Sequence, residues 1–395
     1  MRSQRSAVVP KASLACRAFL IASCASIVSA SPHAPRGLYC SCPPTNANSH
    51  SVLEDVASLD HVDGTLLRIG WDALEPMPGN YDWSLLDAEL TRAEQFDTDV
   101  ALAIVLGNSA PAWLEQAGAE TITVTFFDQT FERYVPWDTV LLSNWTEMIA
   151  QAGARYDGHP RIKLVHITHE TGNGFEMQLR GTLADWQSVG YTHDRYTDSY
   201  KAVIDAFAAA FPSHPLDVDV HPVLDSDAVA QDVAEYGLAT IGQRFGILAA
   251  WWTQNNAQHV YPAMNTILLD APFSAIQVAR SETVHGPEIF GEGGLSGALQ
   301  LAIDSGIGYA EVWNADLLNP SLQPSIVAFA DALDAAAPCG DADLAEPFGV
   351  LDLADINAFL TAFQNAEPAG DLTCDGVFDL ADLGQFVGAF VAGCP

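Results

Sequence analysis

Oxygen-bearing side chains recur near the carboxyl end of the chain at a spacing that suits a hard cation. The segment Asp371–Asp382 reads DLTCDGVFDLAD. A twelve-residue calcium loop takes its ligands from positions one, three, five, seven, nine and twelve, with glycine at the sharp turn in position six. The residues at these ligand positions are Asp371, Thr373, Asp375, Val377 through its carbonyl, Asp379 and Asp382. The spacing therefore predicts a structural Ca²⁺ site in this segment.

Polar and aromatic residues also lie near the carboxyl ends of several apolar runs, which read LLRIGW, IKLVHITHE, LDVDVHP, AIQVARSE and YAEVW. Cleavage of a glycosidic bond needs one carboxyl group held protonated and a second that is ionised. Aromatic faces can stack on sugar rings, and an arginine favours the ionised form of a neighbouring carboxyl. If these runs converge, they predict a sugar-cleaving site. The candidates are Arg68, His166, Glu170, Asp217, Asp219, His221, Glu282, Tyr309, Glu311 and Trp313.

Eight strand-like segments alternate with helical segments between residues 37 and 336, which favours a parallel sheet. Eight such units in about 300 residues fit a (β/α)₈ TIM barrel of the α/β class, with a doubly wound open sheet as the alternative. In a barrel, the carboxyl ends of all strands share one rim, so the candidate residues would meet there. The predicted strands are 37–43, 64–71, 99–107, 162–170, 215–223, 245–252, 274–282 and 308–315.

The tail contains an internal repeat. Gly349–Phe363, GVLDLADINAFLTAF, aligns with Gly376–Phe390, GVFDLADLGQFVGAF, at a spacing of 27 residues. Each copy reads as a half-loop followed by an amphipathic helix, which predicts a small all-α domain. The first loop is one residue longer and has Pro347 and Phe348 where ligands would lie. Metal binding by the first loop is therefore left open.

Two loop–helix units with Asp at the twelfth loop position resemble the dockerin-like, EF-hand-type domains of secreted bacterial proteins. The resemblance covers residues 338–395. It implies a calcium-binding module that docks to a cohesin-like partner or to the cell surface. It also implies that the preceding residues, 31–337, act on carbohydrate, because such modules usually accompany carbohydrate-active enzymes.

A second resemblance concerns the larger region. Leu67–Asp87, LRIGWDALEPMPGNYDWSLLD, resembles the second-strand region of clan A glycoside hydrolases, which include β-galactosidases and endoglycanases, and Ala110–Leu114, APAWL, is also similar to them. The resemblance implies retaining hydrolysis with an acid/base glutamate after strand four and a nucleophilic glutamate after strand seven. These positions fall on Glu170 and Glu282.

This chain departs from the clan A pattern at two places. His169 precedes Glu170 where the clan has Asn, and two tryptophans stand where a supporting tyrosine is expected. Glu176 is the alternative to Glu170, and Glu288 or Glu311 is the alternative to Glu282. We expect no cofactor for catalysis. The expected substrate-binding residues are Arg68, Trp71, His169, Glu176, His221, Trp251, Trp252, Glu311 and Trp313. The alternative function is a carbohydrate-binding barrel without catalysis.

The amino terminus has the pattern of a secretory signal. Four basic residues precede or flank the apolar run AFLIASCASIVSA, and small residues before Ala30 suit cleavage there. A lipobox-like sequence ending at Cys24 is the alternative. The run is too short for a permanent membrane span. These features predict a secreted or cell-surface protein with residues 1–30 removed.

The charge and the cysteines agree with an external location. The net charge is −34, from 16 basic and 50 acidic residues, which disfavours binding to nucleic acid. Five cysteines follow the signal region. In an oxidising compartment Cys339 and Cys394 are expected to pair, and Cys374 to remain free. Cys40 and Cys42 are expected to be buried free thiols, since one intervening residue leaves little room for a disulfide.

Overall fold

The computed structural model describes residues 34–126, 128–335, 340–345, 348, 350–373 and 377–394. The predicted signal segment and the predicted boundary at residues 337–338 lie outside this part of the chain. Within the described residues no helix is both long and apolar enough to cross a membrane.

Eight parallel strands close into a barrel in the order β1, β2, β3, β6, β7, β8, β9 and β10, with β10 pairing back to β1. This confirms the predicted (β/α)₈ fold; each barrel strand begins within one residue of its predicted start, but several strands end up to four residues earlier than predicted. The strands are β1 Gly37–Ser41, β2 Gly64–Gly70, β3 Asp99–Val105, β4 Thr121–Phe126, β5 Gln129–Tyr134, β6 Ile162–Ile167, β7 Leu216–Asp219, β8 Phe245–Trp252, β9 Phe273–Val278 and β10 Tyr309–Trp313.

Helices follow the barrel strands and cover the outside of the sheet. α5 shows how the sequence specifies them: the Asp138 side chain accepts hydrogen bonds from the first free amides, and Leu141, Trp145 and Met148 form the buried stripe. The helices are α1 Glu54–Ala57, α2 Trp71–Leu74, α3 Ser84–Gln95, α4 Trp113–Gln116, α5 Thr139–Tyr156, α6 Leu183–Ser188, α7 His193–Ala210, α8 Ala228–Ile241, α9 Pro262–Leu269, α10 Glu282–His285, α11 Gly294–Asp304, α12 Asn314–Leu317, α13 Gln323–Ala335, α14 Leu353–Asn365 and α15 Leu380–Ala392.

The alternation of side chains along each strand divides the barrel into two cores. Leu67 and Ile69 of β2 belong to the large core between the sheet and the helices. Leu66, on the other face of the same strand, packs inside the barrel with residues such as Ala101 and Leu164. Arg68 shares the inner face with Leu66 because side chains of a strand alternate with a period of two. The alternation therefore aims the polar strand-end residues into the barrel mouth.

A β-hairpin, β4–β5, is inserted between the third and fourth barrel strands and was not predicted. Ile122 and Val124 alternate with threonines, so one face of the hairpin is buried while the other meets solvent. Arg133 donates from Nη2 to the Gly172 carbonyl at 3.2 Å. The hairpin is thereby attached to the loop that follows β6, which carries residues of the candidate site.

The two tail helices pack through matching positions of the repeat. Phe359 of α14 and Phe386 of α15 stack with their ring centroids 4.2 Å apart. Each helix begins with the same capping box, formed by Asp352 with Asp355 and by Asp379 with Asp382. The repeat at 27 residues thus produces two equivalent helices around one small core.

The cysteine predictions need one correction. Cys40 and Cys42 form a disulfide, with their Cα atoms 5.3 Å apart. β1 ends at Ser41, so the chain can bend at Cys42 and bring the two side chains within the separation that disulfides require. Cys394 is also disulfide-bonded. Its predicted partner Cys339, and Cys374, lie outside the described residues.

Candidate active site

A cavity of about 760 Å³ opens at the carboxyl ends of the barrel strands. We call it the main cavity. Its wall combines charged, amide and aromatic side chains from β2, β9, β10 and the loops that follow β2, β3 and β6. This composition suits a polar ligand that also offers flat apolar faces. The lining residues used below are Arg68, Asp72, Asn173, Glu176, Gln277 and Trp313.

Arg68 and Trp313 form one wall of the main cavity. The guanidinium carbon of Arg68 lies 5.6 Å from the Trp313 ring centroid. Arg68 donates from Nη2 to the Cys42 carbonyl at 2.8 Å, and Trp313 donates from Nε1 to the Val278 carbonyl at 2.8 Å. Both side chains are therefore held by backbone carbonyls, which leaves their faces toward the cavity.

Glu176 is the more shielded of the two carboxyl groups that the described residues contribute to the cavity wall. Its side chain is 32% exposed, and Asn173 donates from Nδ2 to its Oε1 at 2.9 Å. Burial raises the pKa of Glu176 and Asp219 adds to the rise, while His221, Asn173 and Arg180 act against it. The protonated form is thus favoured at a carboxyl that reaches the cavity.

Asp72 is the second carboxyl group in the lining. It lies in the first turn of α2, directly after β2. Burial raises the pKa of Asp72, but the backbone amides of Ala73 and Asp72 oppose the rise. Asp72 was not predicted as a site residue, although it lies within the segment that resembles clan A enzymes.

Glu170 lies behind the cavity wall and is only 1% exposed. Its Oε2 accepts a hydrogen bond from the Gly107 amide at 2.9 Å, and its Oε1 has no hydrogen-bond partner among the described residues. Burial raises the pKa of Glu170 to about 8, against the Gly107 amide and Arg133. The Gly107 backbone packs closely against the loop after β6, since a Cβ on Gly107 would lie 2.8 Å from Gly174 N. Glu170 is therefore not part of the lining.

Glu282, the predicted nucleophile, is not among the residues that line the main cavity. Strand β9 ends at Val278, and Glu282 begins the short helix α10. Its Oε2 accepts a hydrogen bond from the Leu295 amide at 2.6 Å, in the first turn of α11. The carboxylate thus satisfies a free helix amide outside the cavity lining.

Gln277 occupies the inner face of β9, near the carboxyl end of this strand. It lines the cavity and donates from Nε2 to Glu311 Oε2 at 2.6 Å. The alternation of Ala275, Gln277 and Ala279 was the signal that could have revealed it. The predicted nucleophile was instead Glu282, at the end of the strand predicted over residues 274–282.

Beneath the cavity lies a fully buried polar cluster, which we call the interior layer. His166 Nδ1 is 2.6 Å from Asp217 Oδ1, and His166 Nε2 is 3.3 Å from Glu311 Oε1. Tyr309 donates to the same Glu311 oxygen at 2.8 Å. Burial acts to lower the pKa of His166, but the two carboxylates outweigh it and raise the pKa to about 10. Glu311 is thus a partner of the buried His166 and does not belong to the lining of the main cavity.

Several other predicted substrate-binding residues are core residues. Trp71, Trp251 and Trp252 are at most 3% exposed, and their indole groups donate to Glu75, the Val220 carbonyl and the Ala298 carbonyl. His169 is buried beside Ser199, and burial lowers its pKa to about 3. His221 is buried beside Asp219. These side chains are buried and do not belong to the lining of the main cavity, so their substrate-binding roles stay predictions.

The predicted calcium loop is described except for Cys374, Asp375 and Gly376. Asp382 Oδ1 accepts hydrogen bonds from Thr373 N and Oγ1, both at 3.0 Å. This contact brings loop positions three and twelve together. The ligands expected from Asp371, Val377 and Asp379 are also oxygens, and such a donor set fits Ca²⁺. Among the described residues alone, no cluster of three or more His, Cys, Asp or Glu could hold a metal.

Comparisons with known proteins agree with the barrel. The glycoside hydrolase 42 family model, described as Beta-galactosidase, matches residues 43–217. A β-galactosidase from an Arthrobacter species is 29% identical over 128 residues, which is 30% of this chain and 18% of that protein. The chain therefore spans less than a fifth of the length of this curated relative.

Two solved structures are similar to this chain at low sequence identity. The cold-adapted β-galactosidase from Rahnella sp. R3 is 14% identical, with a TM-score of 0.51 over 78% of this chain and 57% of that one. Native xylanase 10B from Thermotoga maritima is 13% identical, with a TM-score of 0.47 over 72% of this chain and 86% of that one. The former similarity supports the fold of the barrel.

Proposed function

We propose that this protein is a glycoside hydrolase that cleaves an oligo- or polysaccharide in the main cavity, with Glu176 as the proton donor. The observation that carries the proposal is a shielded carboxyl with a raised pKa on the wall of a cavity at the strand carboxyl ends. The match of residues 43–217 to a β-galactosidase family model supports it. That segment contains Arg68, Asp72 and Glu176.

The two carboxyl groups of the cavity wall have different roles in the proposed reaction. Glu176, the more shielded one, gives its proton to the glycosidic oxygen as the bond to the leaving sugar breaks. Asp72, whose pKa is raised by burial against the opposing backbone amides, acts in its ionised form and attacks the anomeric carbon or activates a water molecule. Trp313 offers a flat face for a sugar ring, and Arg68 stabilises negative charge beside it. A carboxyl separation of about 5–5.5 Å gives retention, and about 6.5–9.5 Å gives inversion.

The test measures hydrolysis of aryl glycosides and polysaccharides by the full chain and by four variants. Glu176→Gln is expected to lower kcat on natural glycosides by about 10²–10⁴-fold, and less on aryl glycosides whose leaving groups need little protonation. Asp72→Asn is expected to lower kcat on both kinds of substrate. Glu170→Gln and Glu282→Gln are the matched controls outside the lining. Full activity in Glu176→Gln and Asp72→Asn would reject the proposal.

A second candidate function is a barrel that binds carbohydrate without cleaving it. The observation that favours it is Gln277, because an amide on the inner face of β9 cannot act as a nucleophile. In that case the chain would bind oligosaccharides in calorimetry while no product forms. Loss of binding in Trp313→Ala, without turnover in the parent chain, would support this second function.

For the tail, we infer a calcium-binding module that attaches a secreted or cell-surface protein to a cohesin-like or surface partner. The paired capping boxes and the Thr373–Asp382 contact support this inference. Titration with Ca²⁺ in calorimetry is expected to show binding that Asp382→Ala abolishes. Asp355→Ala is the matched control in the first repeat. Equal binding in the parent and Asp382→Ala would contradict the assignment of the second loop.

A further inference from the structure

A buried acid–histidine pair lies at the end of the fifth barrel strand. His221 Nδ1 is 2.7 Å from Asp219 Oδ2, and each side chain is about 2% exposed or less. A carboxylate only accepts hydrogen bonds, so at this distance Nδ1 carries a proton and donates it to Asp219. His221 is absent from the cavity lining, so contact with substrate does not explain the pair.

The same carboxylate attaches three elements to each other. Asp219 Oδ2 also accepts a hydrogen bond from the Met177 amide at 3.0 Å, and Oδ1 accepts one from the Ala250 amide at 2.9 Å. Met177 directly follows Glu176 in the loop after β6. Asp219 therefore determines where that loop, and with it the Glu176 carboxyl, lies relative to β7 and β8.

The second nitrogen of the histidine faces the proposed proton donor. His221 Nε2 lies 4.0 Å from Glu176 Oε2. Trp251 and Tyr261 pack edge-on against the imidazole, with ring centroids 6.4 and 5.5 Å away. The ring is thus enclosed between two aromatic groups and anchored at Nδ1, so Nε2 stays aimed at Glu176.

We propose that Asp219 and His221 are positioning residues that keep a positive charge behind the Glu176 carboxyl and thereby set the pH range in which Glu176 donates its proton. This inference rests on the proposed role of Glu176. His221 touches neither substrate nor the scissile bond, and it acts only through Glu176.

The charges around the pair support this role. Burial acts to lower the pKa of His221, but Asp219 and Glu176 outweigh burial, so the pKa is raised and the imidazolium is favoured. In turn His221 opposes the burial-driven rise in the Glu176 pKa. The charged and titratable groups that face Glu176 and His221 from the surrounding elements are Arg68, Arg180, Asp219 and Tyr261, and Asn173 adds an uncharged hydrogen-bond donor.

The direction of the effect follows from this arrangement. A cation near a carboxyl favours the ionised form and lowers its pKa. Replacing His221 by a neutral group should therefore raise the Glu176 pKa and keep Glu176 protonated to higher pH. Activity that depends on protonated Glu176 should then persist into more alkaline solution.

The first experiment compares the pH dependence of kcat/KM for the parent chain and His221→Gln, which keeps a donor for Asp219 but has no charge. We expect the alkaline limb to move upward by about one pH unit. His169→Gln, at a buried neutral histidine, is the matched control and should leave the limb in place. A uniform loss of activity with an unmoved limb in His221→Gln would mean a purely structural role and would overturn the proposal.

The second experiment needs neither turnover nor a variant. Nitrogen-15 and carbon-13 NMR titration of the full chain is expected to show both His221 nitrogens protonated at neutral pH, with one inflection shared with Glu176. A neutral His221 with a bare Nε2 at neutral pH would overturn the proposal. Absence of hydrolysis on every substrate would instead reject the proposed function, so the two failures are distinguishable.

Discussion

The interior layer and the wall of the main cavity place similar groups in different surroundings. In the interior layer, His166 lies between Asp217 and Glu311, and all three are buried. On the wall, Glu176 faces His221 at 4.0 Å but is still 32% exposed. A buried cation with two carboxylate partners fixes its charges, whereas a carboxyl that reaches the cavity can exchange a proton with a ligand. Histidines and carboxylates that are fully buried therefore have a structural role, whereas a carboxyl that solvent can reach is available for chemistry.

Loss of the interior cation should have the largest effect. His166→Gln leaves two buried carboxylates without their partner, and we expect a loss of about 3–5 kcal/mol in the free energy of unfolding. His169→Gln is the matched control, because the His169 pKa is lowered to about 3 and no charge is removed. Urea denaturation measures the free energy of unfolding of both variants. Equal losses in the two variants would contradict the view that the interior layer depends on charge.

Glu170 should make the stability depend on pH. Its pKa is raised to about 8 from the usual 4.5, so the folded state holds a proton that the unfolded state releases. Stability is then complete below pH 4.5 and falls as the pH rises toward 8, by roughly 3 kcal/mol at pH 7. Glu170→Gln should remove this slope and be more stable than the parent at pH 8. A parent chain without the slope in urea denaturation would contradict the buried protonated state.

Gln277 lines the main cavity and also donates a hydrogen bond to Glu311 of the interior layer. Its replacement therefore tests how the two regions differ. Gln277→Glu removes the donor to Glu311 and places two carboxyl groups together, which we expect to cost about 1–3 kcal/mol of stability at neutral pH. The loss should shrink in acid, where one of the two is protonated. Gln277→Met removes the donor without adding a charge and should lack the pH dependence. Identical pH profiles of unfolding for the two variants would contradict the expected repulsion.

The smallest effect is expected on the cavity wall. Trp313→Ala removes an aromatic face, and we expect oligosaccharide affinity to fall by about tenfold, or about 1.4 kcal/mol. Trp252→Phe is the control, because Trp252 lies in the large core between the sheet and the helices. This variant should lower the free energy of unfolding without changing oligosaccharide affinity. Calorimetry with oligosaccharides measures the affinity of both variants. Unchanged affinity in Trp313→Ala would place the sugar elsewhere in the cavity.

Local patterns predicted the barrel and part of its site. The alternation along LLRIGW correctly placed Arg68 inside the barrel, and the alternation along YAEVW brought Tyr309, Glu311 and Trp313 to one side. Glu176 entered only as an alternative to Glu170. The short hairpin β4–β5 and the disulfide of Cys40 were missed, since both depend on how the chain bends between regular elements.

Residues beyond the strand ends were the least predictable. Glu282 follows β9 by a few residues, and the turn there directs its carboxyl to the amide of Leu295 instead of to the cavity. Asp72 reaches the cavity because α2 begins directly at the end of β2. Within a strand, side chains alternate between the two faces of the sheet, so the sequence predicts which way each one points. The loops that follow the strands have no such regular alternation.

The sequence by itself determined the eight-strand barrel, the helical repeat of the tail and the inward direction of the strand residues, because each depends on short-range periodicity. Tertiary structure alone decided which carboxyl reaches the cavity. Glu170 and Glu176 are six residues apart, yet Glu170 is buried outside the lining while Glu176 lies on the wall of the main cavity. Burial and partner charges arise from segments distant in the chain, so the pKa of each acid is a property of the folded molecule.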